Sequence, residues 1–399
     1  MNTSLKEGID WVGYVDWIVR DFHGYMTDKG STYNAYLVRD EKIALIDTVK
    51  APYAKTLLDN VRALTALEKV DYIVCNHAEP DHSGGLPEVV KALPNATVVC
   101  NEKCQVALGR HFDTSTWKFQ VVKDGEQLSL GKRSLMFLDT PMVHWPESMF
   151  TYVPEEKVLF SMDAFGQHLA TSRRFDDELE DALEVIMPEA TTYYANIVMP
   201  YGKQVQKVLD RAATIAIEVI APSHGVIWRK HIPEIVAAYR DFAVCRSKRK
   251  VVIVFDSMWK STELMAHAIA DGASLTDVEV KLYSIRASNL TLLATEALDG
   301  ATFAFGTPTL NQGMMPEISA LLTYLKGLRP TGKAAFAFGS YGWAKGGSEA
   351  VEAILKDMKM EILRPVLNSQ YVPTEEILKE CFEAGQMLAQ KAQEMTKTA

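Results

Sequence analysis

The first half of the chain alternates short apolar runs with polar turns. Residues 30 to 50, GSTYNAYLVRDEKIALIDTVK, set two apolar runs around a charged RDEK turn, which predicts a pair of strands. KVDYIVCNH reads as a buried strand running into a polar loop, GGLPEVVKALP has helical spacing, and ATVVCN returns as a strand. This rhythm continues less clearly to about residue 240, where IPEIVAAYRDFAV predicts a helix. The basic run RSKRK, Arg246 to Lys250, follows and reads as a solvated linker.

A different pattern starts at residue 251. VVIVFDS is continuously apolar, as expected of a strand covered on both faces of a parallel sheet. TELMAHAIADGA predicts a helix and VEVKLYSI a strand; ATFAFGTP and KAAFAFGS are two more buried strands, each opening into a Gly- or Ser-containing loop. PEISALLTYLKGL and SEAVEAILKDM alternate with them as helices, and 374–395 closes as a long helix. Such a succession of βα units predicts a doubly wound parallel sheet, whose ligands bind beyond the carboxyl ends of its strands. The change of pattern divides the chain into residues 1–248 and 249–399.

Length agrees with two domains: 399 residues exceed one typical core. The formal charge of −9 argues against nucleic acid as a general partner. No run of eighteen apolar residues predicts a membrane span, and MNTSLKEGIDWVGYVDW lacks the pattern of a signal peptide, so the cytoplasm is the expected compartment. Five cysteines (Cys75, Cys100, Cys104, Cys245 and Cys381), an odd count at irregular spacing, argue against a disulfide framework. Cys100 and Cys104 lack a second pair, which argues against an iron–sulfur or rubredoxin-type centre; reduced, mostly buried thiols are expected.

The densest chemistry lies in NHAEPDHSGG, residues 76 to 85. Two histidines and two carboxylates, His77, Glu79, Asp81 and His82, leave a strand within six positions. An extended loop would aim the first two to one side and the last two to another, which suits two adjacent metals. Ser83, Gly84 and Gly85 would let the backbone turn tightly before the next helix. Further candidate ligands stand at wide intervals in loops or at strand ends: His144 in PMVHWPES, Asp163 in FSMDAFG and His224 in VIAPSHG.

This ordered set resembles the metallo-β-lactamase superfamily, with one departure. Glu79 stands where the hydrolases usually carry a second histidine, and a hard, negative oxygen ligand favours iron over zinc. H-x-E-x-D-H followed by His, Asp and His resembles the diiron branch, the flavodiiron proteins. The resemblance puts His77, Glu79 and His144 on one iron and Asp81 and His224 on the other, with Asp163 bridging. For His82 the resemblance leaves ligation open, because the family's histidine at this place can be displaced from iron. His23 in RDFHGYM and Tyr193 in TTYYANIVMP resemble second-sphere residues able to donate a hydrogen bond to a metal-bound substrate. His111, His168, His231 and His267 have no partner pattern and read as surface or core residues.

The second half supplies a candidate electron store. DSMWKSTE leaves the first strand and enters a helix, so Ser257, Met258, Trp259, Lys260, Ser261 and Thr262 surround backbone N–H groups at the positive end of a helix dipole. This loop resembles the phosphate loop of flavodoxins, whose phosphate belongs to FMN. GTPTLNQG, with Pro308, Thr309, Leu310 and Asn311, and GSYGWAKGG, with Ser340, Tyr341, Gly342 and Trp343, follow the next buried strands and would flank the isoalloxazine ring.

The resemblance covers the chain and implies a metallo-β-lactamase-like αβ/βα sandwich followed by a flavodoxin-like sheet. It implies two non-haem irons and one FMN, and an external electron donor such as a rubredoxin or a reduced deazaflavin cofactor. Dioxygen would be reduced to water, or nitric oxide to nitrous oxide, in a head-to-tail homodimer or a dimer of dimers. Two other readings remain open at this point: a dizinc hydrolase with an appended flavodoxin, and a non-enzymatic flavin electron carrier.

Overall fold

The computed structural model describes residues 3–397. They form two compact units: residues up to Tyr193 together with Lys203–Arg240, and Tyr194–Gly202 together with the chain from Asp241 onward.

The first unit is built on two sheets. A seven-stranded sheet runs in the order Thr3–Lys6, Ile9–Trp11, Tyr36–Arg39, Ile43–Ile46, Val70–Val74, Thr97–Cys100 and Phe119–Val121. A five-stranded sheet runs Gln127–Ser129, Ser134–Asp139, Met149–Val153, Val158–Met162 and Val219–Pro222. Ile46, Val74 and Val99 of the first sheet share one apolar cluster with Phe137, Phe160 and Ala221 of the second, so the two sheets pack face to face. Side chains alternate along a strand, and the other face of the first sheet, with Leu37, Leu45, Ile73 and Val98, is buried as well. Helices Ala54–Arg62, Leu86–Ala92 and Glu102–His111 supply buried residues such as Leu57, Val61, Val89 and Leu108. A short ribbon pairs Tyr14–Asp16 with Ser31–Tyr33, and a second pairs Asp21–Phe22 with Tyr25–Met26. The turn of the second ribbon is His23–Gly24, both with positive φ, which presents His23 at a hairpin tip.

In the second unit every strand pairs in parallel, in the order Glu279–Ser284, Lys250–Phe255, Thr302–Gly306, Ala334–Tyr341, with Glu361–Ile362 and Leu367–Gln370 both on the last. Sequential strands thus run 2-1-3-4-5, the doubly wound order expected. Helices Ser261–Ala273 and Glu375–Lys397 share one core with Ile253, Ala304 and Phe336. They approach closely because each carries glycine at the contact. A Cβ on Gly385 would lie 1.9 Å from the Ile269 carbonyl oxygen, and one on Gly272 1.9 Å from that of Phe382.

The basic run is not a solvated linker throughout: Lys250 is buried as the first residue of a strand, held by Glu296 and Asp299. The others keep to the surface, Arg246 beside Asp241 and Arg249 beside Asp277.

Candidate metal centre and cofactor loops

The polar loop begins where the strand Val70–Val74 ends. Asp47 accepts from both the backbone and side-chain amides of Asn76, at 2.8 and 2.9 Å, and the Thr151 hydroxyl donates to Asn76 Oδ1 at 2.7 Å. These contacts fix the chain just before His77. The loop is not extended throughout, as the residue pattern suggested. Glu79 is extended, and Pro80–Ser83 makes one helical turn carrying Asp81 and His82. Gly84 and Gly85 keep negative φ, so neither serves a left-handed turn. A Cβ on Gly84 would lie 2.3 Å from the Pro80 carbonyl oxygen; close packing is what excludes a side chain.

The structure brings together all seven candidate ligands. His77 Nε2 and His144 Nε2 each lie 3.1 Å from Glu79 Oε2 and 3.3 Å from Asp163 Oδ2. His82 Nε2 and His224 Nε2 lie 3.3 and 3.1 Å from Asp81 Oδ2, and 3.1 and 3.4 Å from Asp163 Oδ1. Two groups therefore meet at one carboxylate, each facing a different oxygen of Asp163. His82, the residue left most open by sequence, points into the second group.

The donor set fits divalent cations. Both oxygens of Asp81, Nε2 of His82 and Oδ2 of Asp163 are buried yet make no well-directed hydrogen bond, because their lone pairs converge on shared points. Burial alone would push the Asp163 carboxyl up, but the imidazoles of His82, His144 and His224 outweigh it and hold it well below the usual carboxylate range. The same balance holds Asp81 well below that range and Glu79 at about 2. Burial would lower His144, whereas Asp163 and Glu79 raise it to about 10. The cluster is thus built to hold positive charge: protons on imidazole, or cations once those protons leave.

Around the candidate ligands, the Tyr193 hydroxyl donates to Asp163 Oδ1 at 2.7 Å. His23 is half-exposed at its hairpin tip, with Nδ1 3.5 Å from Glu79 Oε1. Both residues therefore stand beside the ligand set.

In the second unit, three loops gather at the carboxyl ends of the strands. Lys260 adopts left-handed backbone (φ 69°) immediately before the helix Ser261–Ala273, whose first N–H groups receive no side-chain cap. Ser257 Oγ is buried there without a hydrogen-bond partner. Asp256, fully buried, ties the loop down by accepting from Ser257 N and from Arg286 at 2.7 and 3.1 Å. Thr262 Oγ1 lies 2.9 Å from Ser340 Oγ, and Thr309 N donates to the Ser340 carbonyl at 2.8 Å, so all three loops are cross-linked. Pro308 is buried, Leu310 and Tyr341 are half-buried and Asn311 is exposed. Trp259 and Trp343 are 90% and 91% exposed, with Met258 also open and Gly342 between Tyr341 and Trp343. An unpartnered hydroxyl beside uncapped amides, flanked by open indoles, fits a phosphate bearing a flat ring.

Residues 32–225 match the ODP family beta lactamase and residues 253–385 match flavodoxin. A nitric oxide reductase of Moorella thermoacetica is 45% identical over 391 residues, covering 97% of this chain and 98% of that protein. The flavodiiron protein of Giardia intestinalis superposes with a TM-score of 0.97 at 39% identity, over 100% of this chain and 98% of that one. The chain belongs to the flavodiiron proteins. The rubredoxin oxygen:oxidoreductase of Desulfovibrio gigas is also similar, with a TM-score of 0.96 at 38% identity over 99% of each chain.

Two residues of this flavodiiron protein escaped the sequence reading. Glu147 Oε1 faces His77 Nδ1, and its only sequence signal is a carboxylate three places after His144. His168 is indeed buried, but beside the centre: its ring lies 5.2 Å from that of His224 and 4.9 Å from that of Tyr193. Tyr25 OH and Ser31 Oγ each lie 2.7 Å from one of its nitrogens. Burial holds it well below the ordinary histidine range, hence neutral. His111 and His267 are exposed, and His231 sits beside Glu234. All five cysteines are free and buried, and Cys104 Sγ lies 3.7 Å from Cys75 Sγ.

Proposed function

We propose that this flavodiiron reductase takes electrons from an external donor through FMN at its flavodoxin loops. It spends them at a diiron centre held by His77, Glu79 and His144 on one side and Asp81, His82 and His224 on the other. Asp163 is the bridge, and the division of its two oxygens between the two groups is the observation that carries this reading. When bound, FMN and the irons supply the redox chemistry that reduces dioxygen to water or joins two nitric oxide molecules as nitrous oxide.

The protein's own residues set the conditions for it. Three carboxylates among four imidazoles offset ferric charge, and Glu79 adds the hard oxygen that favours iron. Tyr193 holds Asp163 Oδ1 by its hydroxyl and thereby orients the bridge. His23, on its exposed hairpin tip, is placed to donate a hydrogen bond to an entering substrate. Ser257, Lys260, Ser261 and Thr262 would hold the FMN phosphate, and Trp259 and Trp343 would cover its ring.

Residues 1–248 would form the metal half, except that Tyr194–Gly202 and the chain from Asp241 pack with the flavin half, 249–399. The donor is a small reduced carrier, a rubredoxin or a deazaflavin cofactor; the name of the Desulfovibrio gigas relative, a rubredoxin oxygen:oxidoreductase, supports the former. A head-to-tail homodimer, or a pair of them, would set the open indoles of one copy against the other's metal half. Trp17 and Ile18, 54% and 84% exposed on the segment leading to His23, offer apolar surface there. A cytoplasmic setting suits five free thiols. The described residues contain no helix long and apolar enough to cross a membrane.

Metal and flavin content per chain of anaerobically purified protein tests the reading. Two irons and one FMN are expected, with turnover of both gases by a reduced donor. Two zincs that persist when iron is supplied during expression would overturn it.

A further inference from the structure

Three tyrosines lead away from the candidate metal centre toward the surface. His224 Nδ1 lies 2.6 Å from the carbonyl oxygen of Thr32, and Tyr33 is the next residue, its ring 6.0 Å from that of His224. Tyr33 stacks on Tyr53 at 5.5 Å, and Tyr53 stacks on Tyr14 at 3.8 Å. Tyr33 is fully buried, whereas Tyr53 and Tyr14 are half-buried and reach toward solvent.

The phenols also share a base. Asp16 Oδ2 accepts from Tyr53 at 2.8 Å and from Tyr33 at 3.4 Å. Asp16 Oδ1 is taken by the backbone amides of Ile18 and Val19, which holds the other oxygen toward both hydroxyls. Packing alone does not require two stacked tyrosines to converge on one carboxylate oxygen. Lys50 Nζ lies 5.1 Å from the Tyr33 ring, so positive charge on that ring is disfavoured. An electron can leave Tyr33 only if its proton leaves too, and Asp16 is there to take it.

We propose that Tyr33, Tyr53 and Tyr14 form a hole-transfer chain, which drains an oxidising equivalent to the surface when dioxygen meets a centre short of electrons. Tyr33 gives one electron to the oxidised iron centre through His224 and its phenolic proton to Asp16, leaving a neutral phenoxyl radical. Tyr53 then gives its electron to Tyr33; Asp16 returns its proton to Tyr33 and takes that of Tyr53. Tyr14 passes its electron to Tyr53, Asp16 returns the proton to Tyr53, and the Tyr14 proton goes to water. A small external thiol ends the sequence by giving Tyr14 a hydrogen atom, and two thiyl radicals couple as a disulfide.

The test uses iron- and FMN-loaded protein carrying ring-deuterated tyrosine. The protein is reduced with a limiting amount of dithionite, mixed with dioxygen, frozen and examined by electron paramagnetic resonance. The expected radical narrows on tyrosine deuteration, which a flavin radical does not. It is lost in Tyr33→Phe and in Asp16→Asn. In Tyr53→Phe it persists on Tyr33 and decays about tenfold more slowly with added thiol. Iron content, flavin content and turnover with excess donor, measured on the same samples, distinguish a broken centre from a broken chain. No deuteration-sensitive radical in fully loaded wild type overturns the proposal. So does an unchanged radical in Tyr33→Phe, or an unchanged decay in Tyr53→Phe.

Discussion

Glu147 holds His77 from behind: its Oε1 lies 2.8 Å from His77 Nδ1 and accepts the Ala78 amide at 3.1 Å. Both side chains are buried, so this contact keeps the Nδ1 hydrogen toward the carboxylate and leaves Nε2 facing Glu79 and Asp163. A carboxylate behind a ligating imidazole both orients it and raises its basicity. Glu147→Gln keeps the shape and loses the charge. Ferrous iron affinity measured by chelator competition should then fall about 10–100-fold, with FMN content unchanged. Equal affinities would mean that the loop, not Glu147, orients His77.

Glu79 contributes the oxygen nearest to both His77 and His144. Glu79→His would make this group nitrogen-rich and remove one negative charge from a buried site. Under equal supply of both metals during expression, elemental analysis should show zinc displacing iron. Retention of two irons per chain would show that the remaining carboxylates, Asp81 and Asp163, are enough to select the metal.

Ser257 Oγ is the clearest orphan of the flavin half, buried and without a partner beside the start of the helix Ser261–Ala273. A hydrogen bond to a charged phosphate contributes about 1.5–3 kcal/mol, so Ser257→Ala should weaken FMN binding about 10–100-fold. Stability of the FMN-free protein should change by less than about 0.5 kcal/mol, since no bond within the protein is lost. Titration of flavin fluorescence measures the first and urea unfolding the second. An unchanged FMN affinity would place the phosphate elsewhere.

The doubly wound sheet was legible because its strands are covered on both faces. VVIVF and AAFAF are apolar without a break, and the runs end where the ligand loops begin. The strands Asp21–Phe22 and Tyr25–Met26 were not, because two residues cannot display a period. Pro80–Ser83 failed for a related reason: four polar or rigid residues read as loop, whereas bonds from His82 and Ser83 back to Glu79, and from Thr48 to the His82 carbonyl, hold them in a turn. The candidate ligand types were visible as clustered histidines and carboxylates at strand ends; the loop pattern parted His77 and Glu79 from Asp81 and His82, while the places of His144, Asp163 and His224 came from family resemblance. Glu147 and Lys250 show the remaining limit. Their partners lie 70 and 46 residues away, and nothing local marks which carboxylate of a loop, or which cation of a basic run, turns inward.

Lys333 is such an inward cation, only 3% exposed. It donates to the carbonyl oxygens of Cys245 and Leu298, both at 2.9 Å, and to Ser247 Oγ at 3.2 Å. Burial lowers it from the ordinary 10.5 to about 8, and the charge of Asp299 offsets only part of that desolvation. Between those values the unfolded chain binds more protons than the folded one, so this lysine makes stability rise with pH across that window. The gain reaches about 3 kcal/mol when the window is crossed completely. Lys333→Met removes the titrating group and leaves the contributions of other lysines in place. Urea unfolding at a series of pH values should show wild type gaining on the variant from pH 8 to 10.5 by up to that amount. A constant difference would mean that the three acceptors solvate the ammonium as well as water does, and that Lys333 is charged throughout.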